Sequence, residues 1–127
     1  SYYDFALKFQ KALRRITRRA SHTLSVDTVD GVCRLDTAEI CYIEVLAHYL
    51  VYHLNDGRQI RARGRMEQMA EELAAYGFVR IHKSYLINLR YLELLKPGMV
   101  TLKTASLPVG RAYKAALMQA YLKYQGG

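Results

Sequence analysis

Three glycine turns punctuate this chain, and each lies beside short runs rich in β-branched and aromatic residues. Val29-Asp30-Gly31 separates LSVDT from VCRLD, Asn55-Asp56-Gly57 follows YLVYHL, and Lys96-Pro97-Gly98 precedes MVTLK. Asp-Gly and Pro-Gly pairs suit the corners of tight turns, where a backbone without Cβ turns at little cost. ICYIEVLA and YLVYHL are broken only by Ala47-His48. In RQIRARG the basic residues alternate with Ile60 and Ala62, as on a half-exposed strand. Met66, Met69 and Leu73 mark the one clear internal helix, with Gly77 as its C-terminal stop. A second helix is expected from about Arg111 to Tyr124. The pattern predicts a mainly β domain with few, short helices.

The N-terminal segment differs. Phe5, Phe9, Leu13 and Ile16 form one apolar stripe at helical spacing, predicting an amphipathic helix over residues 2–19. Its second half is crowded with basic residues, which favour the negative end of a helix dipole. Residues 1–20 carry six basic residues against Asp4, whereas the remaining 107 residues hold thirteen basic and ten acidic. Most of the formal charge of +8 therefore belongs to this first segment, and composition alone argues only weakly for nucleic acid. The stripe fits its own domain or another one upstream. A start at the head of a helix leads us to expect a piece of a larger protein, divided into residues 1–21 and a domain over 22–127.

With 127 residues, 51% of them hydrophobic, the chain has enough apolar side chain for one domain with a true core. No run approaches the roughly 18 apolar residues of a membrane span, so a soluble, cytoplasmic protein is expected. Cys33 and Cys41 share no metal-type spacing with the four histidines and are expected as reduced thiols. His82-x-Ser84 lacks an orienting acid and an oxyanion turn, and no phosphate-loop motif or paired acids occur. The sequence thus indicates no enzyme and no cofactor.

The segment FVRIHKSYLINLRYLELL, residues 78–95, places Arg80, His82, Lys83, Ser84 and Asn88 inside an apolar run. Its apolar positions suit a helix face about as well as strands. The basic and β-branched content favours strand, tight turn, strand. Asn88 is expected to close a turn through backbone hydrogen bonds. Strand alternation turns His82 towards Phe78 and Arg80, which suits packing or support as well as it suits DNA contact. Glu44, an acid among apolar neighbours, is expected to hydrogen-bond structurally, towards the His48 loop. Arg58, Arg61, Arg63 and Arg65 form an acid-free basic cluster suited to phosphate oxygens, and Arg80 and Ser84 are further candidate phosphate contacts.

Four stretches in order carry a family resemblance: ICYIEVLAHYLVYHLNDG, RGRMEQMAEELAAYGF, FVRIHKSYLINLRYLELL and SLPVGRAYKAAL. Together they resemble the LytTR domains, DNA-binding output domains of bacterial response regulators, over about residues 22–124. The resemblance implies an elongated, antiparallel architecture of small sheets with one short internal helix and a C-terminal helix. It also implies loops, rather than a recognition helix, in the major groove. His48, Lys83 and Arg111 match the family's base-contacting loop positions, and Gly110 replaces the serine usual before that arginine, which puts phosphate anchoring there in doubt. The implied partners are duplex DNA with repeated sites, a second copy on that DNA, and a sensor histidine kinase acting on a receiver domain. The N-terminal YYDFALKFQKAL is similar to the last helix of such a receiver. Eleven tyrosines keep a single-stranded nucleic-acid or RNA binder as an alternative, and the N-terminal stripe keeps a protein-interaction or membrane-surface module.

Overall fold

The computed structural model describes residues 22–126, so the expected helix over residues 2–19 lies outside the described residues. Each glycine turn predicted from the sequence joins two strands. Gly31 and Gly98 adopt positive φ at the corners of the hairpins β1 (Thr23–Thr28)–β2 (Gly31–Asp36) and β8 (Leu92–Lys96)–β9 (Met99–Leu102). Gly57 turns the chain between β4 (Tyr49–Leu54) and β5 (Gln59–Ala62).

The central sheet has the strand order β5-β4-β3-β7-β6, with β3 at Ile40–Leu46, β6 at Phe78–His82 and β7 at Tyr85–Asn88. All of its pairings are antiparallel. The hairpin β1–β2 and a three-stranded sheet, β10 (Ser106–Pro108)-β9-β8, complete the β structure among the described residues. Helix α1 (Met66–Leu73) and helix α2 (Lys114–Gly126) are the helices expected from the sequence. FVRIHKSYLINLRYLELL is thus strand, turn, strand, then a short 3-10 turn and β8; its helix-like spacing does not become a helix.

Both faces of the central sheet are covered. On one face Ile43, Leu50, Tyr52 and Leu86 pack with Met66, Met69 and Leu73 of α1 and with Leu24, Val26 and Leu35 of the first hairpin. On the other, Cys41, Ile81 and Ile87 pack with Val100 and Leu102 of the small sheet and Leu117 of α2. Each fully buried Leu or Ile side chain contributes about 1.5–3 kcal/mol relative to exposure, which is why the two faces together hold the central sheet in register. Cys41 is buried, Cys33 half-buried, and both thiols are free.

Asn88 carries a buried polar junction between these layers. Its Oδ1 accepts from the Arg90 N–H at 3.0 Å, closing the predicted turn. Its Nδ2 donates to the carbonyls of Thr37 and Ile40 at 3.3 and 2.9 Å, a long-range role the local sequence does not show. No described helix is long and apolar enough to cross a membrane.

Candidate nucleic-acid interface

The antiparallel order determines which loops meet. β3 ends at Leu46, which pairs with Tyr49, so Ala47-His48 is a two-residue hairpin loop. Ala47 has φ 58°, the sole described non-glycine residue with positive φ. Positive φ at the first loop position matches the right-handed twist of the flanking strands. His48 is exposed beyond it.

The turn Lys83-Ser84 joins β6 to β7 at the same end of the sheet, because Tyr85 pairs with Glu44 near the end of β3. The Val45 N–H donates to the Ser84 carbonyl at 3.0 Å and fastens this turn beside the His48 loop. Gly110 donates its N–H to the Ile81 carbonyl at 2.7 Å, which brings the exposed Arg111 against the end of β6. At the far edge, β5 ends at Ala62 opposite Leu50. Arg63 and Arg65, both exposed, follow it at this end, and the Arg63 N–H donates to the Asp27 carbonyl at 2.9 Å.

The result is a row across five strand ends, from Arg63 and Arg65 through His48 and Lys83 to Arg111. Four inter-strand gaps of about 4.8 Å make the row roughly 19 Å long. That is close to half a turn of B-form DNA, about 17 Å. Among the described residues, none of these basic side chains is ion-paired with an acid. Arg61, on β5, lies over the Tyr49 ring with its guanidinium carbon 5.4 Å from the centroid.

Two of the sequence-predicted phosphate contacts are placed differently. Arg58 sits in the β4–β5 turn at the opposite end of the sheet, its carbonyl accepting from Leu54 N–H. Its Nε is 2.8 Å from Asp56 Oδ2, and the Arg58 backbone and side-chain hydrogen bonds hold the Asp56 carboxyl below the ordinary carboxylate value. The short strand β5 carries Arg58 and Arg63 to different ends of the sheet. Arg80 is half-buried and uses its Nε and Nη2 on the carbonyls of His82 and Lys83, at 3.3 and 2.7 Å.

Other polar residues are corrected by register. A shift between Arg80 and His82 sets His82 opposite Tyr85, so strict alternation with Phe78 and Arg80 fails. The His82 ring lies 5.4 Å from that of Tyr85, and its Nδ1 accepts from the Ser84 N–H at 3.1 Å. Glu44 hydrogen-bonds His53 Nε2 at 2.8 Å, across the β3–β4 pair rather than towards the His48 loop. His53 in turn stacks on Tyr42 at 4.1 Å. Burial first, and then the Glu44 charge, raise the Tyr42 hydroxyl above its ordinary pKa.

Tyr113 was not singled out by the sequence, yet its ring stands under the Arg80 guanidinium, 5.7 Å from centroid to carbon. The two residues lie 33 positions apart, and no local pattern connects them.

Basic and histidine side chains thus gather on exposed loops at one end of the central sheet. The sequence pattern of the LytTr DNA-binding domain matches residues 30–122, and the chain belongs to that family. Its fold is similar to a solved structure, the LytTr DNA-binding domain of a protein assigned as a methyl-accepting/DNA response regulator from Bacillus cereus. That likeness has a TM-score of 0.69 at 14% identity and covers 80% of this chain and 97% of the other. No curated protein sequence matches the chain. Membership in a DNA-binding family agrees with a sequence that holds no catalytic constellation.

Proposed function

We propose that this DNA-binding domain is the output domain of a two-component transcriptional regulator and reads duplex DNA sequence with loop residues in the major groove. His48, Lys83 and Arg111 are the base-reading side chains, and Arg61, Arg63, Arg65 and Ser84 anchor phosphates. The observation that carries this reading is the convergence of three loops from distant parts of the chain on one sheet end, fastened by the Val45–Ser84 and Gly110–Ile81 hydrogen bonds. An arginine there donates two hydrogen bonds to O6 and N7 of guanine, while a lysine supplies a more mobile donor. Arg58 is left out, since it lies at the other end and pairs with Asp56. Two copies on repeated sites, brought together when a histidine kinase phosphorylates a receiver domain, complete the regulatory scheme.

Selection from a randomised duplex pool tests this, followed by anisotropy on the enriched duplex, its scrambled counterpart and the matching single strand at equal salt. About a thousandfold preference for the enriched duplex is expected. Arg111→Ala should lower that preference at one or two base pairs, costing about 1–3 kcal/mol. Tighter binding of the single strand would overturn the duplex reading, and unchanged binding by Arg111→Ala would remove that residue from the base contacts.

A further inference from the structure

We propose that Arg80 is a positioning residue that locks two base-reading turns into one unit and thereby sets sequence preference, without itself contacting phosphate. This rests on the reading of Lys83 and Arg111 given above. The Arg80 Nε and Nη2 donate to the carbonyls of His82 and Lys83, at 3.3 and 2.7 Å, so the guanidinium spans the backbone of the β6–β7 turn. The same guanidinium lies over the ring of Tyr113, whose N–H donates to the Gly110 carbonyl at 2.9 Å in the turn that presents Arg111. One cation therefore touches both turns. A flat guanidinium does this because its forked donors and its π face act at once, which a lysine ammonium cannot copy.

Gly110 fits the same device. A Cβ there would stand 3.1 Å from Tyr113 Cδ2, closer than ring packing readily accepts, and at an ordinary contact distance of 3.7 Å from the Cα of His82. The missing side chain lets the Tyr113 ring close on the β6 end, so the glycine serves the junction between the turns. The His82 Nδ1 bond from Ser84 N–H, at 3.1 Å, stiffens the other side of the Lys83 turn.

A lock of this kind reduces the freedom that two contact side chains lose on binding, and the gain appears only when both sit over their correct bases. A phosphate contact acts differently, weakening every duplex alike and flattening the salt dependence when removed.

Two measurements on the same variants test the proposal. In the DNA-free protein, amide exchange at Ser84 and Gly110 should quicken together, about tenfold, in Arg80→Ala and Tyr113→Ala. Tyr113→Phe, which keeps the ring, should exchange like the parent, and Arg80→Lys should resemble Arg80→Ala. On DNA, Arg80→Ala should cut the ratio of enriched to scrambled affinity about tenfold while the salt slope on the scrambled duplex stays at the parent value. The combined Arg80→Ala/Tyr113→Ala protein should lose no more than either alone, because both remove one junction.

Unchanged exchange in Arg80→Ala would overturn the lock, whatever the DNA result. Faster exchange with an unchanged affinity ratio would overturn its role in sequence preference. A salt slope lowered by about one on every duplex would make Arg80 a phosphate contact instead. Absence of any preference in the parent protein would count against the base-reading assignment, and the exchange result would still decide the lock.

Discussion

At the residue scale, burial decides what a polar side chain does in this protein. Asn88 satisfies two carbonyls and one N–H inside the core, and each buried group left unpaired would cost about 1–3 kcal/mol. Tyr52 is 1% exposed, and burial, reinforced by the Glu72 charge, pushes its hydroxyl up to about 12. An unfolded tyrosine ionises near pH 10, so the unfolded chain releases this proton first as pH rises. The stability held by the neutral hydroxyl is complete below about pH 10 and is lost progressively up to about pH 12, amounting to roughly 2–3 kcal/mol. Urea unfolding at pH 9 and pH 12 should show a smaller alkaline loss in Tyr52→Phe than in the parent. Equal losses would mean that the hydroxyl ionises as readily folded as unfolded.

Elements are joined by turns with opposite uses of the same backbone region. Gly77 ends the turn after α1 at φ 89°, and a Cβ there would lie 3.2 Å from the Tyr124 ring. Ala47, in the His48 loop, holds φ 58° with its Cβ in place. A Cβ in the left-handed region costs about 1–2 kcal/mol, partly offset in Ala47→Gly by the larger entropy the unfolded glycine gains. Ala47→Gly should therefore raise stability by up to about 1 kcal/mol, and Gly77→Ala should lower it by about 1–2 kcal/mol. Thermal unfolding should move in opposite directions for the two, by a few degrees each. A lower Tm for Ala47→Gly would show that the loop is held by its contacts rather than strained by its alanine.

At the scale of the whole molecule, the central sheet has two ends, and only one is built for DNA in the proposed reading. Arg65 follows β5 at the end with His48 and Lys83, whereas Arg58 lies in the opposite turn and is paired with Asp56. Arg65→Ala should lower the slope of log affinity against log salt by about 0.9, and Arg58→Ala should leave it unchanged. Equal reductions would lay the duplex along the strands instead of across their ends.

The sequence by itself determined the short strands, the glycine turns, both described helices and the family, because these depend on local backbone preference and on ordered motifs. It also located Asn88 in a turn, since an Asx side chain bonds to its own neighbourhood. Tertiary structure alone decided which loops stand together. Strand order set the His48 loop beside the Lys83-Ser84 turn, and a register shift turned His82 to Tyr85. Glu44 found His53 across a strand pair, and Arg80 reached Tyr113 across 33 residues. Such contacts arise from pairing and packing between segments far apart in the chain, and a local pattern carries no record of them.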